Sequence, residues 1–438
     1  MSQSIAGSRV LAVVLCGVFA APGAPGAQAF DPSAAQATEL VQRMRASAQF
    51  AQASTFIEAD YDRFVKEVIA LNEIPAPPFK EQARAKAYVE MLRDAGLSDV
   101  EIDAEGNAMG VRKGSAAGGP MLAVLAHIDT VFPEGTDVKV KRQGTRLDAP
   151  GIGDNTRGIA LMLSVIRAMQ AGKFQTTSDV LFVGNVGEEG EGDLRGVKYI
   201  LRQGKHKDRI KQFIAIDGGE QGNITRGGVG SLRYRVTFKG PGGHSYGAFG
   251  LVNPAYAMGS AIANFSRITV PVMPKTTFNV GAVRGGTSVN SIPADVSMDI
   301  DMRSESCAEL KKVNEAFLAI VKQAVDEENG VRSTREGKIA ADPKLIGDRP
   351  CGETLPSAPI VQTTTAVVKS FGLTPNYSIS STDSNVAMNM GIPAVTIGRG
   401  GPGGRAHAPD EWTDVERKGS VEAVKVAMTI ILAVAGVP

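Results

Sequence analysis

Several short apolar runs in this chain end abruptly in an acid or a histidine, and that recurrence constrains the fold more than any other feature. PMLAVLA leads into His127 and Asp129, DVLFVGNV into Glu188 and Glu189, and KQFIAI into Asp217. Short runs of this kind read as buried β-strands. Between them, IALMLSVIRAMQ carries an apolar period of 3.6 and LRGVKYILRQG reads as a further helix. Strands alternating with helices predict a mostly parallel α/β sheet with helices on both faces. Such open sheets build their sites along one edge, outside the carboxyl ends of the strands. The acids and histidines would therefore meet there.

At 438 residues the chain exceeds what one hydrophobic core usually organises, so two domains are expected. The pattern changes near Gly230. SLRYRVTFKG alternates as a half-exposed strand, and NPAYAMGSAIANFS follows as a helix. TTFNVGAV and DVSMDIDMR read as two strands, CAELKKVNEAFLAIVKQAVDE as a helix and RSTREGKIAA as a last strand. This βαββαβ order predicts an inserted ferredoxin-like domain. The α/β pattern resumes after about Pro350 with NYSIS, PAVTIG and a closing helix from Glu416. The expected division is a discontinuous catalytic domain over 30–229 and 346–438, interrupted by an inserted domain over 230–345.

Residues 1–29 stand apart. Arg9, the run VLAVVLCGVFAA and the small-residue signal Ala27-Gln28-Ala29 read as a secretory signal peptide cleaved before Phe30. The run is too short to span about 30 Å of hydrocarbon, and bulky Leu15 argues against a lipid anchor on Cys16. The expected location is periplasmic or secreted, with no stable membrane association. A net charge of +1 argues against a nucleic-acid partner. Cys307 and Cys351 can form a bridge or stand as two inert thiols, the latter at least as readily. Neither sits in a Cys-x-x-Cys or nucleophile setting.

The chain has four histidines, and two of them, His127 in LAHIDTVF and His407 in GGRAHAPDEW, accompany Asp129, Asp154, Glu188, Glu189 and Asp217. Two divalent cations held close together need nitrogen and oxygen ligands, a shared carboxylate and a position left open for catalysis. His127 ends a strand, and Asp129 can accept a hydrogen bond from its free ring nitrogen. Asp154 lies in a glycine-flanked turn before a helix and suits a bridging ligand. Glu188 and Glu189 diverge at a strand end, so one can bind metal while the other faces the attacking water. Taken singly, each residue has an ordinary explanation: an acid before a helix is usually an N-cap, and paired glutamates are usually solvated. Together they reverse that balance, because unrelated surface acids would not fall repeatedly just after apolar strands.

The HxDT segment, the GxGDN turn, the Glu-Glu pair, the strand-end Asp217 and the AHxPDE segment resemble the di-zinc exopeptidases and deacylases. That family includes glutamate carboxypeptidase, peptidase T, dipeptidases, aminoacylase and succinyl-diaminopimelate desuccinylase. The resemblance spans nearly the whole chain after residue 29. It implies two zinc ions per subunit, with Co2+ or Mn2+ as substitutes. One ion would be bound by His127 and Asp217 and the other by Glu189 and His407, with Asp154 bridging and Glu188 as general base. It also implies a non-prolyl cis peptide at Asp154-Asn155. The inserted domain becomes a lid and a homodimer interface. His244 in PGGHSYG would reach the partner subunit's site in trans. Asn290 in SVNSIP and Arg303 in DMRS would hold substrate, Arg303 through its carboxylate. Taken alone, His244 reads equally as a loop histidine and Arg303 as a strand-end charge.

The segment Ser381-Thr382-Asp383-Ser384-Asn385 is similar to a family stretch written Ser-Asp-Ala-Asn, with Ser384 in place of Ala. Asp383 lines the pocket or caps the next helix, and the sequence leaves both open. Arg405 lies close enough to His407 to meet substrate, and His206 reads as a solvated loop. The HIDTVFPEGT stretch is most like the glutamate-carboxypeptidase branch. The expected activity is therefore a zinc exopeptidase acting on small peptides, a carboxypeptidase or di/tripeptidase. An N-acyl amino acid deacylase is the alternative. A non-catalytic binding protein would lack the base or a metal ligand, and neither is missing here.

Overall fold

The computed structural model describes residues 33–116 and 118–437, so the expected signal peptide lies outside the described residues. No helix among the described residues is long and apolar enough to cross a membrane. The chain begins with α1 (Ala34–Arg45), α2 (Ala48–Asn72), α3 (Gln82–Asp94), β1 (Ser98–Ile102), β2 (Ala108–Arg112) and β3 (Met121–His127). It continues through β4 (Lys141–Gln143), β5 (Arg146–Asp148), α4 (Gly158–Ala171), β6 (Asp179–Asn185), α5 (Arg195–Arg202), β7 (Ile210–Ile216) and β8 (Asn223–Gly228). Next come β9 (Gly230–Lys239), β10 (Gly243–His244), α6 (Pro254–Phe265), β11 (Thr276–Gly285), β12 (Ser291–Ile292), β13 (Asp295–Ser304), α7 (Cys307–Val331) and β14 (Ala340–Arg349). The last elements are β15 (Gly352–Glu353), α8 (Pro359–Ser370), β16 (Asn376–Ser380), α9 (Ser384–Asn389), β17 (Ala394–Ile397), β18 (Gly403–Gly404), β19 (Trp412–Asp414) and α10 (Arg417–Ala435).

The main sheet runs β1-β2-β6-β3-β7-β17-β8-β15, with β16 also beside β8. Its centre, β6-β3-β7-β17, is parallel, and antiparallel pairs flank it. β3 and β6 are buried at every residue. They are covered on both faces, which is why they read as continuous apolar runs rather than alternating ones. On one face α4 is overlaid by α2 and α10, and every residue from Gly158 to Met169 is buried. A helix sandwiched between two layers loses its polar side. On the other face α5 and α9 close a second apolar cluster. β3 lies between β6 and β7 although it precedes both in sequence. The loops after these three strands therefore open side by side at the switch point where such sheets leave a crevice.

Residues 230–349 build a separate antiparallel sheet, β11-β13-β9-β14. The order β9-α6-β11-β13-α7-β14 is βαββαβ. On β13, Val296, Met298, Ile300 and Met302 are buried on one side of the strand and join the core with α6 and α7, where the Phe265 and Phe317 rings lie 4.9 Å apart. The opposite face carries charge pairs such as Arg235–Asp299. Two details differ from the sequence reading. The last strand is not RSTREGKIAA but Ala340–Arg349, and its pairing with β9 continues to Arg349 opposite Ser231, beyond the expected boundary at 345. This is an edge strand, where Pro343 is tolerated and apolar alternation is not required, so the sequence pattern that marks interior strands is absent. Cys307 and Cys351 are joined in a disulfide, with Cα atoms 5.6 Å apart.

Candidate active site

The strand-end residues converge as the sheet topology requires. His127, the last residue of β3, places Nε2 3.2 Å from Asp154 Oδ1. Its Nδ1 lies 3.1 Å from the main-chain oxygen of Asp129 and 3.6 Å from Asp129 Oδ1. The nearer partner of the ring is thus the Asp129 carbonyl, not its carboxylate. The carboxylate instead accepts the backbone N–H of Glu188 at 3.0 Å and of Glu189 at 2.8 Å. Asp129 therefore fixes the main chain of the Glu-Glu pair.

Asp154 sits in the turn Ile152–Arg157, and its peptide bond to Asn155 is cis. Gly151 takes φ 76° at the head of the turn, a conformation glycine adopts without steric cost. Glu411 clasps this turn from the far end of the chain. Its carboxylate accepts the N–H groups of Gly151, Gly153 and Asp154 at 2.8, 2.9 and 2.7 Å. Near it, Arg405 and His407 hold left-handed backbone at φ 63° and 66°, strain of the kind that gathers at functional loops. His407 Nε2 lies 2.9 Å from Glu189 Oε1 and 3.3 Å from Asp154 Oδ2. Three groups result among the described residues, His127–Asp154–Asp217, His127–Glu188–Glu189 and Asp154–Glu189–His407, each with ligand atoms within 4.8 Å of one another. The first and the last share Asp154.

The electrostatics suit cations. Burial pushes the Glu188 carboxyl well above its usual range. Burial and the Asp154 charge raise Asp217 to about 6. Burial would raise Asp154 as well, but hydrogen bonds from His127 and His407 and the charge of Arg399 hold it well below the usual value. Hydrogen bonds to Asp154 and Glu189 push His407 up to about 10. Packing carboxylates this closely, largely out of water, is unfavourable without positive charge among them. An imidazole and carboxylate donor set of this kind fits zinc and similar divalent ions.

Asp154, Glu188, Glu189, Asp217 and His407 line a cleft of about 1270 Å³, together with Arg233, Thr277 and Arg303 of the antiparallel sheet and the flanking Lys275 and Glu305. Arg303 is half-exposed there, with Nε 2.7 Å from Asp301. Arg405 also lines the cleft and pairs with Asp410 at 3.1 Å. His244 and Asn290 do not line it. Both are exposed, His244 on the small β10–β12 ladder and Asn290 just before it, where Asn290 O accepts the N–H of Ser245 at 2.9 Å. Asp383 does not line the cleft, and although it holds the N-cap position of α9 its side chain makes no cap hydrogen bond. It is buried, raised to about 7 by that burial, and accepts from Asn185 Nδ2 at 2.8 Å. His206 is half-buried rather than fully solvated.

Three residues that the sequence reading passed over belong to the site. Glu411 stands four residues after His407 in the AHAPDEW segment. Arg399 follows β17 and approaches Asp217 Oδ1 to 3.4 Å. Arg349 is buried, with Nη1 3.2 Å from Glu188 Oε1 and 3.0 Å from Ser381 Oγ, while Nη2 donates to the Glu188 carbonyl. Both arginines follow strand patterns like any surface charge, and sequence offers no sign that they turn inward.

Solved structures share this fold. Aminopeptidase PepT from Bacillus cereus matches with a TM-score of 0.69 and 21% identity, covering 86% of this chain and 99% of the other. The dipeptidase Dug1p from Saccharomyces cerevisiae matches at 0.66 and 14%, covering 88% and 98%. YxeP from Bacillus subtilis, a dinuclear metal-binding peptidase, matches at 0.62 and 17%, covering 86% and 98%. The sequence model of peptidase family M20/M25/M40 matches residues 123–434. That span is well over half of the chain, which therefore belongs to the peptidase family M20/M25/M40 and is a metal-dependent hydrolase.

Proposed function

We propose that this protein is an exported di-zinc exopeptidase that removes a terminal residue from small peptides bearing a free carboxylate. The observation that carries the reading is the pair of triads sharing Asp154, with Glu188 beside them and Arg303 across the same cleft. His127 and Asp217 would hold one ion, Glu189 and His407 the other, with Asp154 between them. Bound zinc would polarise the scissile carbonyl and ease deprotonation of water. Glu188, whose buried carboxyl has a raised proton affinity, takes the proton of the attacking water and delivers it to the leaving amine. Arg303 receives the substrate carboxylate in a two-pronged hydrogen bond.

His244 and Asn290 enter this reading through a second subunit. They stand at an exposed ladder beside Tyr246, Phe249 and Val289, whose side chains are also exposed. Contact through this face would cover those apolar groups and bring His244 to the neighbouring cleft. The peptidases among the structural relatives favour a peptide substrate, and an N-acyl amino acid, which offers the same amide and carboxylate, is the second reading.

The test is hydrolysis of di- and tripeptides, N-acyl amino acids and the amidated form of each, with and without chelator. Chelator-sensitive cleavage that is lost on amidation supports a carboxylate-reading hydrolase, and the best substrate names the class. Cleavage of amidated peptides from the amino end would make it an aminopeptidase and remove Arg303 from its role. A fully active monomer would remove His244 from the reaction.

A further inference from the structure

Two chain crossings join the main sheet to the antiparallel one, Val229–Gly230 going in and Arg349–Cys351 coming back. They run side by side. Arg349 pairs with Ser231, and a Cβ on Gly230 would lie 2.8 Å from Cys351 Cβ, so the contact admits glycine alone. Asn385 on α9 grips both crossings, donating from Nδ2 to Val229 O at 2.8 Å and to Pro350 O at 2.9 Å. Asn389, one turn on, donates to Cys351 O at 3.0 Å. The disulfide then ties Cys351 to Cys307, the first residue of α7. The returning crossing is thus held to the catalytic unit by two asparagines and to the inserted unit by a covalent bond.

Arg349 is the last residue of an edge strand, paired with β9 on one side only. Its guanidinium meets Glu188 in a buried contact and Ser381 in a part-buried one at the cleft wall. A long, flexible side chain reaches one fixed point reproducibly when its own backbone is fixed. We propose that the Cys307–Cys351 bridge and Asn385 form a hinge pin that positions Arg349, and that Arg349 in turn orients the Glu188 carboxylate. These are positioning residues, coupling the seat of the inserted unit to the group proposed as base. The inference rests on Glu188 having that role.

The experiment is a mutant cycle of wild type, C307S/C351S, R349K and the combined variant on the best panel substrate, with metal content measured throughout. Loss of the pin should lower kcat roughly three- to tenfold, since sub-ångström misplacement of reacting groups is costly, with KM within about twofold and metal content unchanged. In the R349K background, removing the disulfide should cost nothing further, because the two act through one contact. Unchanged kcat in C307S/C351S, or effects that multiply, would overturn the inference. If C307S/C351S does not fold, the folded wild type is opened with a phosphine, which leaves two thiols and carries water oxygen away as phosphine oxide. Turnover must then fall as thiols appear and return on reoxidation, and constant turnover with both thiols free overturns the pin. A wild type with no chelator-sensitive hydrolysis of any substrate would instead overturn the proposed function on which it rests.

Discussion

Filling the metal centre should expel protons, and the structure says from which groups. An imidazole must be neutral to coordinate a metal ion. In chelator-stripped protein, hydrogen bonds to Asp154 and Glu189 hold His407 at about 10. Burial works against charge on His127, but its hydrogen bonds to Asp129 and Asp154 keep its proton affinity well above normal. His407 is therefore cationic at pH 7, and His127 is held toward its charged form. Filling both positions should thus release about one proton from His407, with further release from His127 and from the buried Glu188 carboxyl, whose proton affinity is also raised. The sign follows: a raised imidazole pKa makes the proton a competitor at every pH below it, so competition weakens as pH rises. Affinity for the ion at His407 should climb about tenfold per pH unit from neutrality and level off near pH 10. Calorimetric titration with zinc in two buffers of different ionisation heat measures the release directly. His407→Asn should release about one proton fewer than wild type. Equal release by the two proteins, or an affinity flat in pH, would refute both the charge state and the assignment of His407 as a ligand.

Further outcomes follow from the same geometry. Glu188→Gln should keep its metal and lower kcat by about a hundredfold or more, and near-normal turnover would remove Glu188 as the base. Asp129→Asn replaces one acceptor of the Glu188 and Glu189 N–H groups by a donor, so metal affinity, measured by chelator competition, should fall about ten- to a hundredfold; unchanged affinity would mean the pair holds itself in place. Arg303→Ala should raise KM for carboxylate substrates by about tenfold or more while leaving the amidated forms unaffected. A uniform change across both sets would make Arg303 a structural residue.

What the sequence disclosed and what it hid divide along physical lines. β3, β6 and the FIAI run of β7 were legible because strand segments covered on both faces are mostly apolar, and His127 and Asp217 were legible because they end or directly follow such runs. The βαββαβ order was legible for a different reason, the one-sided burial that makes β13 alternate. The end of β14 was not, since an edge strand carrying Pro343 has no burial pattern to print. Arg349 and Glu411 were hidden more deeply. Their partners lie 161 and 257 residues away in sequence, and no local period reports a contact of that span. The sequence allows Asp383 two roles, and its side chain takes neither, buried against Asn185.

The grip of Glu411 on the Gly151–Asp154 turn has a consequence for biogenesis. The turn that carries the shared carboxylate is composed early in the chain, yet its three N–H groups wait for an acceptor made 257 residues after Asp154. His407, beside that acceptor, is equally late. A nascent chain that has formed β3, β6 and β7 therefore already holds His127 and the glutamates but has no finished centre. If His407 is a ligand as proposed, molecules that lack the segment bearing His407 and Glu411 should be inert, because the centre is then without one imidazole and the turn without its acceptor.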